Sequence, residues 1–71
     1  MCDLDATLAR VAKNVRRLRT DRGWSQPQLA NWSDISRETI VNIEIRRKPT
    51  NLKTLVAIAN TFGVEVTELL K

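Results

Sequence analysis

The stretch that decides the fold is residues 25–45, which read SQPQLANWSDISRETIVNIEI. Ser25 is a favourable helix cap, and Gln28, three residues later, completes a capping box. Pro27 fits the first turn of a helix, where its missing N–H has no intrahelical partner. These residues predict a short helix over Gln26–Trp32.

A second short helix follows a tight turn at residues 33–35. Asp34 is one of the few non-glycine residue types that tolerate the left-handed backbone of such a turn. Ser36 can cap the next helix, which is predicted to end at Glu44 or Ile45. Isoleucines form the inner edge of this helix, and its outer face is predicted to carry Arg37, Glu38, Val41 and Asn42.

Two short helices joined by a tight turn form a helix-turn-helix unit, predicted here over residues 25–45. In such a unit the second helix can enter the major groove of DNA. Arg37 can donate two hydrogen bonds to guanine, Asn42 can pair with adenine, and Glu38 can accept from cytosine. Val41 can touch a thymine methyl group. The alternative at this point is an amphipathic helix whose polar face is only solvated.

The segment before this unit predicts a long helix over Leu4–Arg22. Its leucines and valines recur at alternating spacings of four and three residues, which makes one apolar stripe. Asp3 or Asp5 can cap its start, and Gly23 lies where a left-handed end is needed.

The segment after the unit predicts two more helical stretches. Asn51 can cap a fourth helix, and Gly63 closes it. Residues 64–71 supply one or two further turns, with Thr67 as the expected cap. No alternating strand pattern occurs, so the sequence predicts an all-α fold.

The composition argues against an enzyme. The chain has no histidine, no tyrosine and one cysteine, so the commonest general base and most metal-ligand sets are missing. Gly23 and Gly63 stand too far apart to form a phosphate-binding loop. We expect no catalytic activity, no metal and no cofactor.

The length and the ends of the chain indicate one cytoplasmic domain. The 71 residues suffice for a single domain over 1–71. No apolar run approaches the roughly 18 residues of a membrane span, and the acidic start does not resemble a signal peptide. Cys2, the only cysteine, predicts a free thiol rather than a structural disulfide.

The net charge of +4 is concentrated in two basic clusters, residues 10–22 and 46–53. Two such clusters on a small domain suit the phosphate backbone of a nucleic acid. Charge alone is equally compatible with a solvated helix face and a solvated loop.

A series of short segments at fixed spacing runs from Val11 to Leu70. They are Asn14–Arg19, Arg22–Gln26, Leu29–Ala30, Ile35–Arg37, Thr39–Ile40, Ile43–Glu44, Thr54–Leu55, Ile58–Ala59, Phe62–Val64 and Glu68–Leu70. In these segments the sequence resembles the Cro/cI-type helix-turn-helix family, which includes phage repressors and the controller proteins of restriction–modification systems. The resemblance implies a five-helix, lambda-repressor-like domain that binds operator DNA through its third helix and dimerises chiefly through its fifth-helix region.

The resemblance also implies roles for individual positions. Gln26 matches the glutamine that contacts a phosphate at the start of the second helix. The positions that commonly read bases are Arg37, Glu38 and Asn42, with Ser36 and Thr39 beside them. The basic residues expected to contact phosphates in the following loop are Arg46, Arg47 and Lys48. Arg19 and Glu44 match a pair that often forms an internal salt bridge.

Several positions keep two interpretations. The candidate dimer contacts, each of which can equally close the monomer core, are Val64, Val66, Leu69 and Leu70. Trp24 matches a core leucine position, so we expect it to be buried. Trp32 matches a position that is more often polar, and it either packs on the N-terminal part of the first helix or forms an exposed anchor.

The sequence departs from the family pattern in two places. Asp34 replaces the glycine of the turn, at a small expected cost in stability. The glycine usual soon after Ile43–Glu44 is replaced by Ile45, Arg46 and Arg47, which leaves the path of residues 45–51 open.

The predicted function is that of a transcriptional regulator that binds double-stranded DNA as a homodimer, either a phage-type repressor or a restriction–modification controller. Two copies of the third helix would enter major grooves about 34 Å apart on a pseudo-palindromic operator. RNA polymerase is a further candidate partner. The alternatives are an antitoxin, which would bind a protein toxin and autoregulate its operon, and a protein-interaction module without DNA binding.

Overall fold

The structure is a computed structural model that describes residues 3–71, so Cys2 lies outside the described residues. The described part contains five α-helices and no strand: α1 Leu4–Asp21, α2 Gln26–Ser33, α3 Arg37–Glu44, α4 Leu52–Phe62 and α5 Thr67–Leu70. The prediction of an all-α, five-helix fold is confirmed. Within residues 3–71, no helix has the length and apolar character needed to cross a membrane.

Side chains cap the first four helices at residues that the sequence indicated. Each cap accepts a hydrogen bond from a backbone N–H of the first turn, and each is worth about 1 kcal/mol. At α2 the capping box is complete: Gln28 N–H donates to Ser25 Oγ at 3.1 Å, and Ser25 N–H donates to Gln28 Oε1 at 2.8 Å. The cap residues of α1 to α4 are Asp3, Ser25, Ser36 and Asn51.

The short helix α5 is held by tertiary contacts rather than by a cap. Thr67 is its first residue, and Val66 before it makes no side-chain capping bond, so the prediction of Thr67 as the cap is wrong. Leu69 is fully buried, and its carbonyl oxygen accepts a hydrogen bond from Asn14 Nδ2 at 3.0 Å. Leu69 therefore belongs to the monomer core and offers no surface to a partner, which corrects its assignment as a dimer contact.

One core joins all five helices. α1 packs against α3 and α5, and α2 packs against α3 and α4. The helix-turn-helix pair thus rests on a base formed by α1 and α4. The buried apolar residues of this core are Val11, Val15, Leu18, Leu29, Ala30, Ile40, Ile43, Ile58, Ala59, Phe62 and Leu69.

An aromatic cluster closes the end of the molecule where α1, α2 and α4 meet. Trp24 stacks on Phe62, with ring centroids 5.6 Å apart, and meets Trp32 edge to face at 4.8 Å. Arg22 lies over the Trp24 ring and donates from Nη2 to the Phe62 carbonyl oxygen at 2.7 Å. Trp24 is half-buried as part of this cluster. Trp32 packs on Trp24 and is 51% exposed, so the expectation that it packs on the N-terminal part of α1 is corrected.

Candidate nucleic-acid interface

The turn between α2 and α3 fixes the angle between the two helices. Asp34 adopts the left-handed conformation, with φ 59° and ψ 35°. The next residue, Ile35, donates its N–H to the Ala30 carbonyl oxygen at 3.0 Å, so the chain closes back on α2. The left-handed backbone costs about 1 kcal/mol at a residue with a β-carbon, and this cost is the penalty for replacing the glycine. The turn is tight despite that replacement.

Helix α3 is anchored on one side and open on the other. Ile40 is fully buried and Ile43 is 3% exposed, so both side chains are fixed in the core. The residues on the opposite side lie at the surface because the helical period turns them away from this edge. The predicted base-reading residues that stay wholly or partly exposed are Ser36, Arg37, Glu38, Thr39, Val41 and Asn42.

Ser36 and Thr39 are hydrogen-bonded to each other at the start of α3. Ser36 Oγ accepts the backbone N–H of Thr39 at 3.1 Å, and the two hydroxyl oxygens are 2.7 Å apart. Ser36 therefore has a structural task as the helix cap, and any contact of its hydroxyl with a base would have to share that atom.

A second arrangement on this surface was not foreseen from the sequence. Arg46 Nη1 donates to Glu38 Oε1 at 2.7 Å and to Asn42 Oδ1 at 2.8 Å. The spacing of four residues between these three positions, which continues the α3 ridge past its last residue, is the signal that could have indicated it. Arg46, for which a phosphate contact was predicted, contacts two predicted base readers within the protein.

Gln26 stands beside a buried ion pair at the start of α2. Arg19 donates to both carboxylate oxygens of Glu44, from Nε at 2.8 Å and from Nη2 at 2.9 Å. Its Nη1 donates to the Trp24 carbonyl oxygen at 2.8 Å, so the guanidinium ties α1 to α3 and to the segment before α2. Gln26 Nε2 lies 3.4 Å from Glu44 Oε1. The pair holds the first residue of α2 next to the end of α3.

The loop after α3 folds back on the helix that precedes it. Lys48 N–H donates to the Asn42 carbonyl oxygen at 2.9 Å. Arg47 takes a left-handed conformation with φ 52°, which supplies the bend that the family glycine would give. This bend answers the question that the sequence left open about residues 45–51. The three basic side chains of this loop are exposed: Arg46, Arg47 and Lys48.

The basic residues of the 10–22 cluster are divided among different tasks. Arg19 braces Glu44, and Arg22 covers the aromatic cluster. A surface groove runs along α1 as far as Glu44 at the end of α3. Its cationic lining residues are three from α1 and one from the loop after α3: Lys13, Arg16, Arg17 and Arg47. The two basic clusters of the sequence therefore meet at one groove.

Apolar surface remains exposed near α5. Leu70 is 38% exposed and Leu4 is 60% exposed, and both line one small groove. Val64 and Val66 are half-buried and pack against the core, so they offer only part of their surface. Leu52, the first residue of α4, belongs to the apolar stripe of that helix in the sequence, yet it is 65% exposed.

A helix-turn-helix family model matches residues 15–69. The match covers more than half of the chain, so the chain belongs to this helix-turn-helix family. The transcriptional regulator RamB of Mycobacterium tuberculosis is 39% identical over 57 residues, which are 80% of this chain and 12% of RamB. The immunity repressor of Bacillus phage phi105 is 32% identical over 59 residues, which are 83% of this chain and 41% of the repressor. The chain thus spans less than half the length of either relative.

Two solved structures resemble the fold closely. The restriction-modification controller protein C.AhdI of Aeromonas hydrophila has a TM-score of 0.83 and 30% identity, over 90% of this chain and 97% of that protein. A variant of C.Esp1396I bound to its highest affinity operator site has a TM-score of 0.78 and 26% identity, over 92% of this chain and 96% of that protein. The resemblance to repressors and controller proteins that the sequence indicated is confirmed.

Proposed function

We propose that the chain is a transcriptional regulator that reads a specific sequence of double-stranded DNA by placing α3 in the major groove. The observation that carries the proposal is the two-sided character of α3, whose inner edge is locked in the core while Arg37, Glu38 and Asn42 lie at the surface. A rigid helix with these groups matches the donor and acceptor pattern of base edges in that groove. The likeness to a controller protein bound to its operator supports this reading.

Phosphate contacts would hold α3 in register. Gln26 is the first residue of α2 and is partly exposed, so its amide can donate to a phosphate while it stays beside Glu44. Arg47 and Lys48 are exposed in the loop after α3. Contacts of this kind position a protein on the duplex and add affinity for every sequence.

The proposed regulator acts as a homodimer. One recognition helix reads only a few base pairs, and pairing two copies on a symmetric site roughly doubles the specific contacts. Leu70 and Leu4, which line one apolar groove, are the proposed centre of the dimer contact, and the half-buried Val64 and Val66 are further candidates. Bound near a promoter, such a dimer would block RNA polymerase or support it.

Selection of bound duplexes from a random pool tests the DNA-binding proposal. At near-physiological salt we expect enrichment of an inverted repeat whose half-sites are about one helical turn apart. The protein with Arg37→Ala and Asn42→Ala serves as the control, and it should enrich a weaker or different consensus. Recovery of random sequences by the unaltered protein would contradict the proposal and direct the search to a protein partner, such as a toxin.

Sedimentation of matched variants tests the dimer contact. Leu70→Asp places a charge in the apolar groove, and we expect it to shift the protein from dimer to monomer. Thr67→Asp is the control, since Thr67 is exposed on the same short helix and the substitution adds the same charge. Equal dimer content in both variants would move the contact to another surface.

A further inference from the structure

Glu38, Asn42 and Arg46 form one ridge on the outer side of α3. Each follows the previous one by four residues, which places all three on one side of the helix. Arg46 lies two residues past the end of α3 at Glu44, and its backbone N–H bonds to the Val41 carbonyl oxygen, five residues back, at 3.4 Å, a pattern that ends a helix. Its side chain returns along the ridge to meet both earlier residues.

A single nitrogen of Arg46 makes both contacts. Nη1 carries two hydrogens, and its acceptors are Glu38 Oε1 at 2.7 Å and Asn42 Oδ1 at 2.8 Å. Arginine can only donate, so the atom of Asn42 that faces it must be the amide oxygen. The contact therefore sets which way the Asn42 carboxamide and the Glu38 carboxylate are turned.

We propose that Arg46 is a specificity-determining positioning residue, which orients Glu38 and Asn42 for base reading instead of contacting a phosphate. This inference rests on the proposed function. Adenine recognition requires the asparagine oxygen and NH₂ group in a defined order, and cytosine recognition requires a free carboxylate oxygen. Asn42 Oδ1 accepts from Arg46 with one lone pair and keeps the other for adenine N6, and the Asn42 NH₂ group and Glu38 Oε2 remain available to the bases.

The charge of Arg46 has a second consequence for the same surface. Glu38 is an exposed carboxylate on a helix that would approach a polyanion, and it would repel the phosphates if it stood alone. Arg46 offsets this charge at 2.7 Å. The base-reading ridge is thus neutral as a unit, while Arg47 and Lys48 beside it keep a net positive charge.

Binding measurements on two neighbouring arginines test the assignment. Arg46→Ala and Arg47→Ala remove the same charge, but only Arg46 bridges Glu38 and Asn42. Each variant is titrated with the selected operator and with its single-base variants over a range of salt concentrations. We expect Arg46→Ala to lower the preference about tenfold at the base pairs read by Glu38 or Asn42. Arg47→Ala should weaken binding on all sequences and reduce the salt slope by about one.

Two further variants separate positioning from other effects. Arg46→Lys keeps the charge and can still donate to both acceptors, so it should restore part of the preference. In a background of Glu38→Gln with Asn42→Ala, removal of Arg46 should cost little more specificity because the groups that it orients are gone. Equal weakening by Arg46→Ala on every sequence, with a salt slope reduced as in Arg47→Ala, would overturn the proposal and return Arg46 to the phosphate contacts.

A measurement without DNA distinguishes failure of this inference from failure of the proposed function. The side-chain amide resonances of Asn42 in the free protein should shift in Arg46→Ala and stay unchanged in Arg47→Ala, since only Arg46 bonds to Asn42 Oδ1. Unchanged resonances in both variants would refute the contact itself. If the resonances shift but the protein selects no DNA sequence, the contact stands, and the assignment to base reading fails together with the proposed function.

Discussion

Two arginine–glutamate pairs of nearly equal length lie in opposite surroundings. Arg19 and Glu44 meet at 2.8 Å with side chains that are 13% and 1% exposed. Arg46 and Glu38 meet at 2.7 Å with side chains that are 49% and 71% exposed. Water and salt compete with the second pair but hardly reach the first, so equal distances correspond to different tasks.

The buried pair is structural because neither partner can be removed alone. Glu44 receives two bonds from Arg19, and Arg19 also holds the Trp24 carbonyl oxygen. Loss of one partner leaves a charge without compensation inside the protein. The exposed pair tolerates such a loss, since water can solvate whichever group remains. The proposed role of the exposed pair is to orient the side chains of Glu38 and Asn42.

The largest expected effect comes from breaking the buried pair. Glu44→Ala should lower the free energy of unfolding by about 3–5 kcal/mol because Arg19 stays buried without its partner. Urea or thermal unfolding measures the loss. Glu65→Ala, at an exposed site, should change stability by less than about 0.5 kcal/mol. A loss below about 1 kcal/mol for Glu44→Ala would mean that Arg19 finds solvent easily and that the pair is not a brace.

Arg37, an exposed arginine outside both pairs, tests whether a residue can affect DNA recognition without affecting stability. Arg37→Ala should leave unfolding unchanged and weaken binding to the selected operator by about 1–3 kcal/mol, with relaxed preference at one base pair of each half-site. The matched control is Arg10→Ala, which removes an exposed arginine of α1 outside the basic groove. Equal weakening on all sequences would make Arg37 a phosphate contact.

The exposed loop beside the second pair should act through charge alone. Replacing Arg47 and Lys48 together with alanine should reduce the slope of log affinity against log salt by about two and weaken binding on every sequence. Titration at several salt concentrations measures both effects. An unchanged slope would remove the two residues from the phosphate contacts.

The smallest expected effect is that of the exposed pair on folding. Glu38→Ala should change the free energy of unfolding by less than about 1 kcal/mol, against several for Glu44→Ala in the same assay. A loss as large as that of Glu44→Ala would show that the Glu38–Arg46–Asn42 ridge is part of the fold, and the comparison between the two pairs would no longer hold.

Local chemistry made most of the fold predictable. Ser25, Ser36 and Asn51 cap their helices through neighbouring N–H groups, which depend only on residues three positions away. The long apolar stripe of α1 likewise follows from a period of 3.6 residues. The sequence could not show which of Leu69 and Leu70 is buried and which is exposed, because a helix of four residues is too short for its period to define a buried face.

The site was less predictable where it depends on tertiary contacts or on backbone bends. Arg46 bridges Glu38 and Asn42 from a position past the end of α3, and the spacing of four residues alone does not show that its side chain turns back along the helix. The bend at the left-handed Arg47 was not marked either, because the usual glycine is absent at that place. Trp32 meets Trp24 through the packing of two segments, which no local pattern encodes.

The Trp24–Trp32 contact gives the protein a built-in optical reporter. These are its only tryptophans, and it has no tyrosine, so its near-ultraviolet circular dichroism and its fluorescence arise almost wholly from two indoles in edge-to-face contact. Trp32 lies on α2, whereas Trp24 stacks on Phe62 of α4. The coupled signal of the two rings therefore follows the docking of the helix-turn-helix unit on its base, and it can be recorded without any label.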